Sequence, residues 1–386
     1  MIAFPLLILF SYLGRGIYNS FLFLVFTATI FLIVKNKKTK YLFNDFNKYF
    51  IIFVLSTIPS FVYAIDPYFS YSKFVTFFLT SFAIILCAQY LFHKSYRAKE
   101  NLIVALSILF YTSVIMEIIT ITGMYFHFDP IIFLKTGSIV PMYGSYHLRE
   151  VFTAAILPLG LFYYYIKPHK IKLLFIIIAF IGILASTSRT AMLAVLFSVP
   201  LFIIIKNRGK IFTKEILLFI VILVLALSTS FVLNEKIQKR VESFATTFTT
   251  KGDMMSGRFT VYSESFRHFN DAPITGKGIK SGIVLNKQKD FRNKHPHNIW
   301  LELLMDVGII GTIGFILFIV FLLSYLYKLR KKISIIHNAT IWSTLLTIFL
   351  SSLASWSIWI GNHIGPMLII LMIIFYLDKI ELEKNI

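Results

Sequence analysis

Apolar residues run along this chain in long blocks, separated by short polar stretches. The blocks cover 17–34, 47–65, 70–92, 100–124, 149–166, 171–187, 189–205, 212–233, 299–327, 336–358 and 362–378. Most fall within the roughly 17–25 residues that a helix needs to cross a hydrocarbon core of about 30 Å. Residues 2–13 offer a further apolar stretch, short for a full crossing. Gly14–Arg15–Gly16 and Ser188–Arg189 read as tight turns or helix ends between blocks. The pattern predicts an all-α fold: a polytopic bundle of 11–12 transmembrane helices, with residues 1–386 as a single membrane domain. It also leaves one long polar loop, 235–298.

Composition agrees with that class. The chain is 57% hydrophobic, has a mean hydropathy of +0.78 and is only 15% charged. With 41 Phe and so few charges, a soluble domain would lack the polar surface to cover itself. Cys87 is the single cysteine and lies inside an apolar block, which excludes an intrachain disulfide framework and a cysteine metal site. The opening MIAFPLLILF lacks a basic stretch and a small-residue cleavage site, so it does not read as a removed signal peptide.

Charge gives the blocks a direction. The loops 35–48, 93–100, 167–172, 206–214 and 328–332, with the C-terminal tail, carry 21 of the 38 Lys and Arg. They share one side if every block crosses. The short loops of the other side carry five: Arg15, Lys73, Lys135, Arg149 and Arg189. That imbalance is the positive-inside signal, so the first side is expected to be cytoplasmic, together with the C-terminus. The 235–298 loop is then external. The net charge of +20 follows from topology and gives no reason to invoke nucleic acid.

Three polar clusters fall on the external side. Within the long loop, Phe259, Tyr262, Phe266 and Phe269 recur three or four residues apart, which predicts an amphipathic helix against the membrane surface. Arg258 starts it, and Asp271 and Pro273 end it. It reads equally as a binding element or as an interfacial anchor. The following PITGKGIKSG is glycine-rich but does not fit the phosphate-binding loop pattern. In STSRTA, Arg189 stands at the external ends of two blocks. It serves either a buried partner or a water-filled site, or it snorkels from a helix end. YGSYHLRE adds His147, Arg149 and Glu150, which also read as a solvated helix start.

HPHNIW, residues 295–300, opens the block from 299. Pro296 suits the first turn of a helix, where its missing N–H is not needed. His297 would then sit at the positive end of the helix dipole, where a neutral ring is favoured, and a neutral imidazole can act as a general base. The competing reading is an interfacial histidine at a helix start. Glu302, about one turn on, could orient the His297 ring or Asn298, or pair with an arginine. Glu117 lies inside a block, as a buried partner for an arginine or a structural hydrogen-bonding group. The external carboxylates show no paired spacing of the kind that holds a catalytic divalent cation.

From about residue 143 onward the chain resembles the bacterial O-antigen ligase and polymerase superfamily. The residues that carry the resemblance are STSRTAMLAV, SGRFTVYSESFRHFNDAPITGKG and HPHNIWLELLMDVGIIGTIGF, in that order. The first 140 residues match only in hydropathy. The resemblance implies a transferase at the periplasmic face of the inner membrane. Its donor would be an undecaprenyl-diphosphate-linked glycan, its acceptor a lipid A-core or glycan hydroxyl, and its cofactors and metal none, with inversion at the anomeric carbon. By the same resemblance Arg189 and Arg258 hold the donor diphosphate and His297 deprotonates the acceptor. Arg149, Asn298 and Glu302 take supporting roles. Ligation onto lipid A-core is the first reading and polymerisation of a lipid-linked glycan the second. A flippase or secondary transporter is the alternative from a different class. Against it, the blocks show no internal repeat and the polar groups gather at one face and not at the midplane.

Overall fold

A computed structural model describes residues 15–35, 44–92, 97–125, 146–185, 188–233, 258–288, 296–354 and 357–380. Every regular element within them is helical. Hydrocarbon offers no partner to a free peptide group, and a helix satisfies its N–H and C=O groups within its own segment. Each of the eleven expected blocks coincides with a helix. The first four are α1 (Arg15–Lys35), α2 (Asp45–Ser56), α3 (Pro67–Phe92) and α4 (Ala98–Tyr125). Then come α5 (Tyr146–Ile166), α6 (Lys170–Ala185), α7 (Arg189–Lys206) and α8 (Lys214–Leu233). The polar loop contributes α9 (Arg258–Asp271) and α10 (Ser281–Gln288). The last three are α11 (Ile299–Leu329), α12 (Ile335–Ser352) and α13 (Gly361–Phe375). Among the described residues α3, α4, α7, α11 and α12 hold stretches long and apolar enough to cross a membrane. The chain is an all-α polytopic membrane protein. Residues 2–13, and the start of YGSYHLRE at 143–145, lie outside the described residues.

The interior is built from pairs of helices: α7 along α12, α2 along α11, α4 on α5 and α3 on α13. Small side chains let α12 come close to α7. Its Ala339, Thr340, Ser343, Thr347 and Ser351 are all buried. Close backbone approach through small residues is the usual source of helix attraction where lipid removes the hydrophobic drive. Hydroxyls in this seam bond back to the helix that carries them: Thr340 donates to Ile336 O at 2.8 Å, Thr347 to Ser343 O at 3.0 Å and Ser351 to Thr347 O at 2.7 Å. α2 and α3 are joined by a buried amide pair. Asn47 Nδ2 donates to Gln89 Oε1 at 3.2 Å, and Gln89 Nε2 returns to Asn47 Oδ1 at 2.8 Å. Outward, α11 shows Ile309, Ile313, Leu317 and Val320, all exposed, as a lipid-facing helix should.

Three blocks depart from the expected straight helix. The block 47–65 ends as α-helix at Ser56 and continues as the 3₁₀ turn Ile58–Phe61, because Pro59 has no N–H to extend the ladder. Thr57 and Ser60 help turn the chain by donating to Val54 O and Thr57 O, each at 2.7 Å. The block 336–358 stops at Ser352. Within α11, Gly308 takes φ 62 and ψ −164, which breaks the helix near its start.

Candidate functional site

The site is organised by the first ten residues of α11. Asn298 is the N-cap, with its side-chain Oδ1 accepting from Trp300 N at 3.0 Å and Leu301 N at 3.2 Å. An asparagine oxygen satisfies two of the four N–H groups that a helix start leaves open. The expected first-turn place for Pro296 is thereby corrected: the proline lies two residues ahead of the cap, outside the helix. Between them His297 is half-buried and takes φ +53. Non-glycine residues enter the left-handed region rarely, and where they are held there a functional constraint is a reasonable hypothesis.

Below the cap, the kink at Gly308 is completed by the loop after α9. In a continuous helix Ile309 N–H would donate to Met305 O, and Ile310 N–H to Asp306 O. Instead Ile309 N donates to Pro273 O at 2.9 Å and Ile310 N to Ile274 O at 3.2 Å. The two carbonyls left open take Lys277 N and Gly278 N, both at 2.9 Å. All four groups that the kink releases are therefore satisfied by residues 273–278, which is what burial demands of them. The fit requires glycine on both sides. Gly308 has φ +62, and a Cβ there would stand 2.5 Å from Ile274 O; Gly276 has φ +75, and its Cβ would stand 2.5 Å from the Asp306 carbonyl.

Two buried carboxylates in the same stretch hold the neighbouring elements. Asp306 caps α10 from outside it: Oδ2 accepts from Lys280 N at 2.8 Å, and Oδ1 from Ser281 N at 3.0 Å and Ser281 Oγ at 2.6 Å. Glu302 reaches the segment before α13, accepting from Ser357 Oγ at 2.6 Å and Ile358 N at 3.1 Å. Its observed partners are thus neither Asn298 nor an arginine. Ser357 N in turn donates to His363 Nδ1 at 3.2 Å, which brings a second histidine to this end of the bundle. Glu302→Ala should lower the thermal midpoint in detergent, since it strips the acceptor from two buried donors, each costing about 1–3 kcal/mol. Glu302→Gln keeps one acceptor oxygen and should lose about half as much; equal losses would mean that the charge, and not the acceptors, matters.

α9 begins at Arg258 and ends at Asp271, as the aromatic spacing predicts. It packs on α11, and the side chains buried on it include Val261, Ser265 and His268. Of the aromatic stripe, Tyr262 and Phe269 are half-buried and Phe266 is exposed. Phe266 is 51% exposed and meets Phe269 edge to face at 5.8 Å. Exposed Ile274, which accepts from Ile310 N, adjoins the lipid-facing side of α11. At its end Lys277 Nζ donates to Asp271 Oδ2 at 2.7 Å, which holds that carboxyl below its usual range. Burial, with Arg267 and Lys277 nearby, keeps His268 below the ordinary histidine value.

Arg189 is the first residue of α7 and is exposed, with Ser188 as N-cap: Ser188 Oγ accepts from Ala191 N at 3.4 Å. Arg258 occupies the same place in α9, and Arg149 lies in the first turn of α5. The side chains of Arg149 and Arg258 lie outside what the structure describes. Arg189 and Arg258 therefore stand at helix N-termini, Arg149 in a first turn and His297 just before one, where open N–H groups and the dipole favour an anion. The structure joins α9 to α11; Arg189 sits on α7, which packs on α12, α5, α6 and α8. Sequence reasoning missed Asp306, Ser357 and His363. An acid within an apolar block signals Asp306; nothing local signals the other two.

Residues 174–316 match the family model described as O-antigen ligase. The match takes in Arg189, Arg258, His297, the loop 273–281 and the kink of α11. It supports the O-antigen ligase and polymerase superfamily for this chain and a membrane glycosyltransferase-like activity. No curated protein matches the chain.

Proposed function

We propose, from the match of residues 174–316, that this chain is an O-antigen ligase. It moves a glycan from undecaprenyl diphosphate to a hydroxyl of a lipid A-core sugar, at the periplasmic face of the inner membrane, without metal or cofactor. The observation that carries the reading is His297, half-buried at φ +53 and one residue ahead of the Asn298 cap. There it takes the proton of the acceptor hydroxyl as the acceptor oxygen attacks the anomeric carbon. The bond from that carbon to the diphosphate oxygen breaks with inversion, and undecaprenyl diphosphate leaves. Arg189 and Arg258 neutralise the charge that gathers on the leaving group. Guanidinium keeps its charge at every working pH and offers paired donors to phosphate oxygens, and preorganised charge of this kind often supplies the largest share of barrier lowering. Arg149, Asn298 and Glu302 support the site. For Asn298 and Glu302 the means are the cap on α11 and the brace to Ser357 and Ile358.

Arg189→Ala should reduce the transfer rate by about 10²–10³-fold, the usual loss when one preorganised donor is removed. Arg189→Lys should fall between wild type and alanine, because it keeps the charge and loses the paired geometry. Initial rates with purified protein in nanodiscs check both, and an unchanged rate in Arg189→Ala would remove this residue from the site. The acceptor is tested by offering lipid A-core and a second lipid-linked glycan together, with EDTA present. Glycosylated lipid A-core is the expected product; longer lipid-linked chains alone would make the enzyme a polymerase.

A further inference from the structure

The stretch 357–360, which leads into α13, is buried and not helical, so its N–H groups must find partners outside a helix ladder. Three in succession are taken by side chains. Ser357 N donates to His363 Nδ1 at 3.2 Å, Ile358 N to Glu302 Oε2 at 3.1 Å and Trp359 N to Ser357 Oγ at 3.3 Å. Ser357 Oγ donates in turn to Glu302 Oε1 at 2.6 Å. Two side chains therefore hold the stretch from outside it: a carboxylate on α11 and an imidazole on α13. The indole of Trp359 anchors it in the core, edge to face on Phe77 at 5.1 Å and stacked on Phe53 at 6.5 Å. His363 is half-buried in the first turn of α13, where it and Asn362 are the only polar side chains of the helix.

We propose that His363 is a positioning residue for glycan transfer, acting through Ser357 and Glu302 on the start of α11 that carries His297. The inference rests on the transferase reading above and adds to it a second histidine, one that does not touch substrate. Because Nδ1 accepts from Ser357 N–H it carries no proton, and the neutral ring keeps its proton on Nε2. Ser357 is thereby held where its hydroxyl meets the Glu302 carboxyl. Glu302 stands one turn past the cap, with its N–H donating to Asn298 O at 3.0 Å, and His297 is the residue before Asn298. Bonds thus run without a gap from the first turn of α13 to the first turn of α11, and they fix where α11 begins relative to α13. An apolar side chain at 363 could fill the space of the ring, but it would leave the buried Ser357 N–H without its acceptor. A displacement of about 1 Å at the reacting groups can cost on the order of 10²-fold in rate.

Two amides separate the two ring nitrogens. Asparagine places its Oδ1 where His363 has Nδ1, whereas glutamine carries its amide out toward the position of Nε2. His363→Leu, His363→Asn and His363→Gln are compared with the wild type in nanodiscs, at a temperature where circular dichroism shows all four folded. Initial rates give kcat and the KM of donor and acceptor. The leucine and glutamine variants are expected to lose roughly 10–10²-fold in kcat with both KM values unchanged, because a group that touches neither substrate alters reaction geometry and not binding. The asparagine variant should recover to within about threefold of the wild type, since it keeps the acceptor. Combining His363→Leu with Glu302→Gln should cost less than the product of the separate losses, because both residues hold the same stretch. Recovery with glutamine and not with asparagine would mean that the ring works through Nε2, and a raised acceptor KM in the leucine variant would mean that it binds sugar; either overturns the proposal. An unchanged kcat in His363→Leu overturns it too, and leaves the ligase reading standing because transfer is still observed. No product from folded wild type with competent substrates would remove the ligase reading itself, and this inference with it.

Discussion

Replacing His297 with alanine is expected to slow glycan transfer by about 10²–10⁴-fold, the range over which one positioned general base acts. The thermal midpoint should stay near that of the wild type. Asn298, not His297, carries the cap of α11, through its bonds to Trp300 N and Leu301 N. The left-handed φ of +53 supplies the decisive control. Asparagine tolerates that conformation better than other non-glycine residues but has no basic nitrogen. His297→Asn should therefore keep the turn and lose the activity, as alanine does. Recovery of transfer in His297→Asn would mean that the residue shapes the start of α11 and does not move a proton. Initial rates under saturating donor, with melting measured on the same preparations, separate the two.

Gly308→Ala should be among the most damaging single-methyl changes in the described structure. The conformation at φ 62, ψ −164 belongs almost to glycine alone, and holding another residue there costs about 1–3 kcal/mol. A methyl group also has nowhere to go, with Ile274 O at 2.5 Å and Gly276 N at 2.6 Å. Its neighbours are backbone and cannot swing aside like a side chain. Moving them loosens the four hydrogen bonds between residues 273–278 and 305–310, each worth about 0.5–1.5 kcal/mol net. Loss of about half of that bonding, together with the backbone cost, gives a total of roughly 2–6 kcal/mol. Gly209→Ala is the matched control: φ there is +88, yet nothing lies within 4 Å, so the cost is the backbone term alone, about 1–2 kcal/mol. Thermal melts in detergent should show a much larger fall for position 308. Equal falls at 308 and 209 would mean that the loop does not clasp the kink.

How far the sequence could be read differs sharply between these features. Among the described residues a helix lies in each of the eleven apolar blocks, because a membrane requires long apolar stretches. The spacing of Tyr262, Phe266 and Phe269, followed by Asp271 and Pro273, placed α9 to the residue. The kink was hidden. Gly308, Gly311 and Gly314 look alike in sequence. Gly308 alone of the three has a positive φ, and Gly314 instead makes room for Ser56 and Phe53 of α2. Pro296 was misplaced because proline favours a helix start, while the adjacent asparagine makes the stronger cap. Glu302 could be suspected from its place in an apolar block, but its partners Ser357 and Ile358 lie more than fifty residues on. No local pattern reports such a contact.

Transfer as opposed to transport is the central claim, and one measurement addresses it directly. Purified wild-type protein is reconstituted into sealed vesicles with undecaprenyl-diphosphate glycan and lipid A-core, and both lipids are extracted and analysed by mass spectrometry. The account predicts a covalent lipid A-core–glycan product, matched mole for mole by released undecaprenyl diphosphate and absent with His297→Ala. Donor carried intact to the opposite leaflet, with no new glycosidic bond formed, would contradict it.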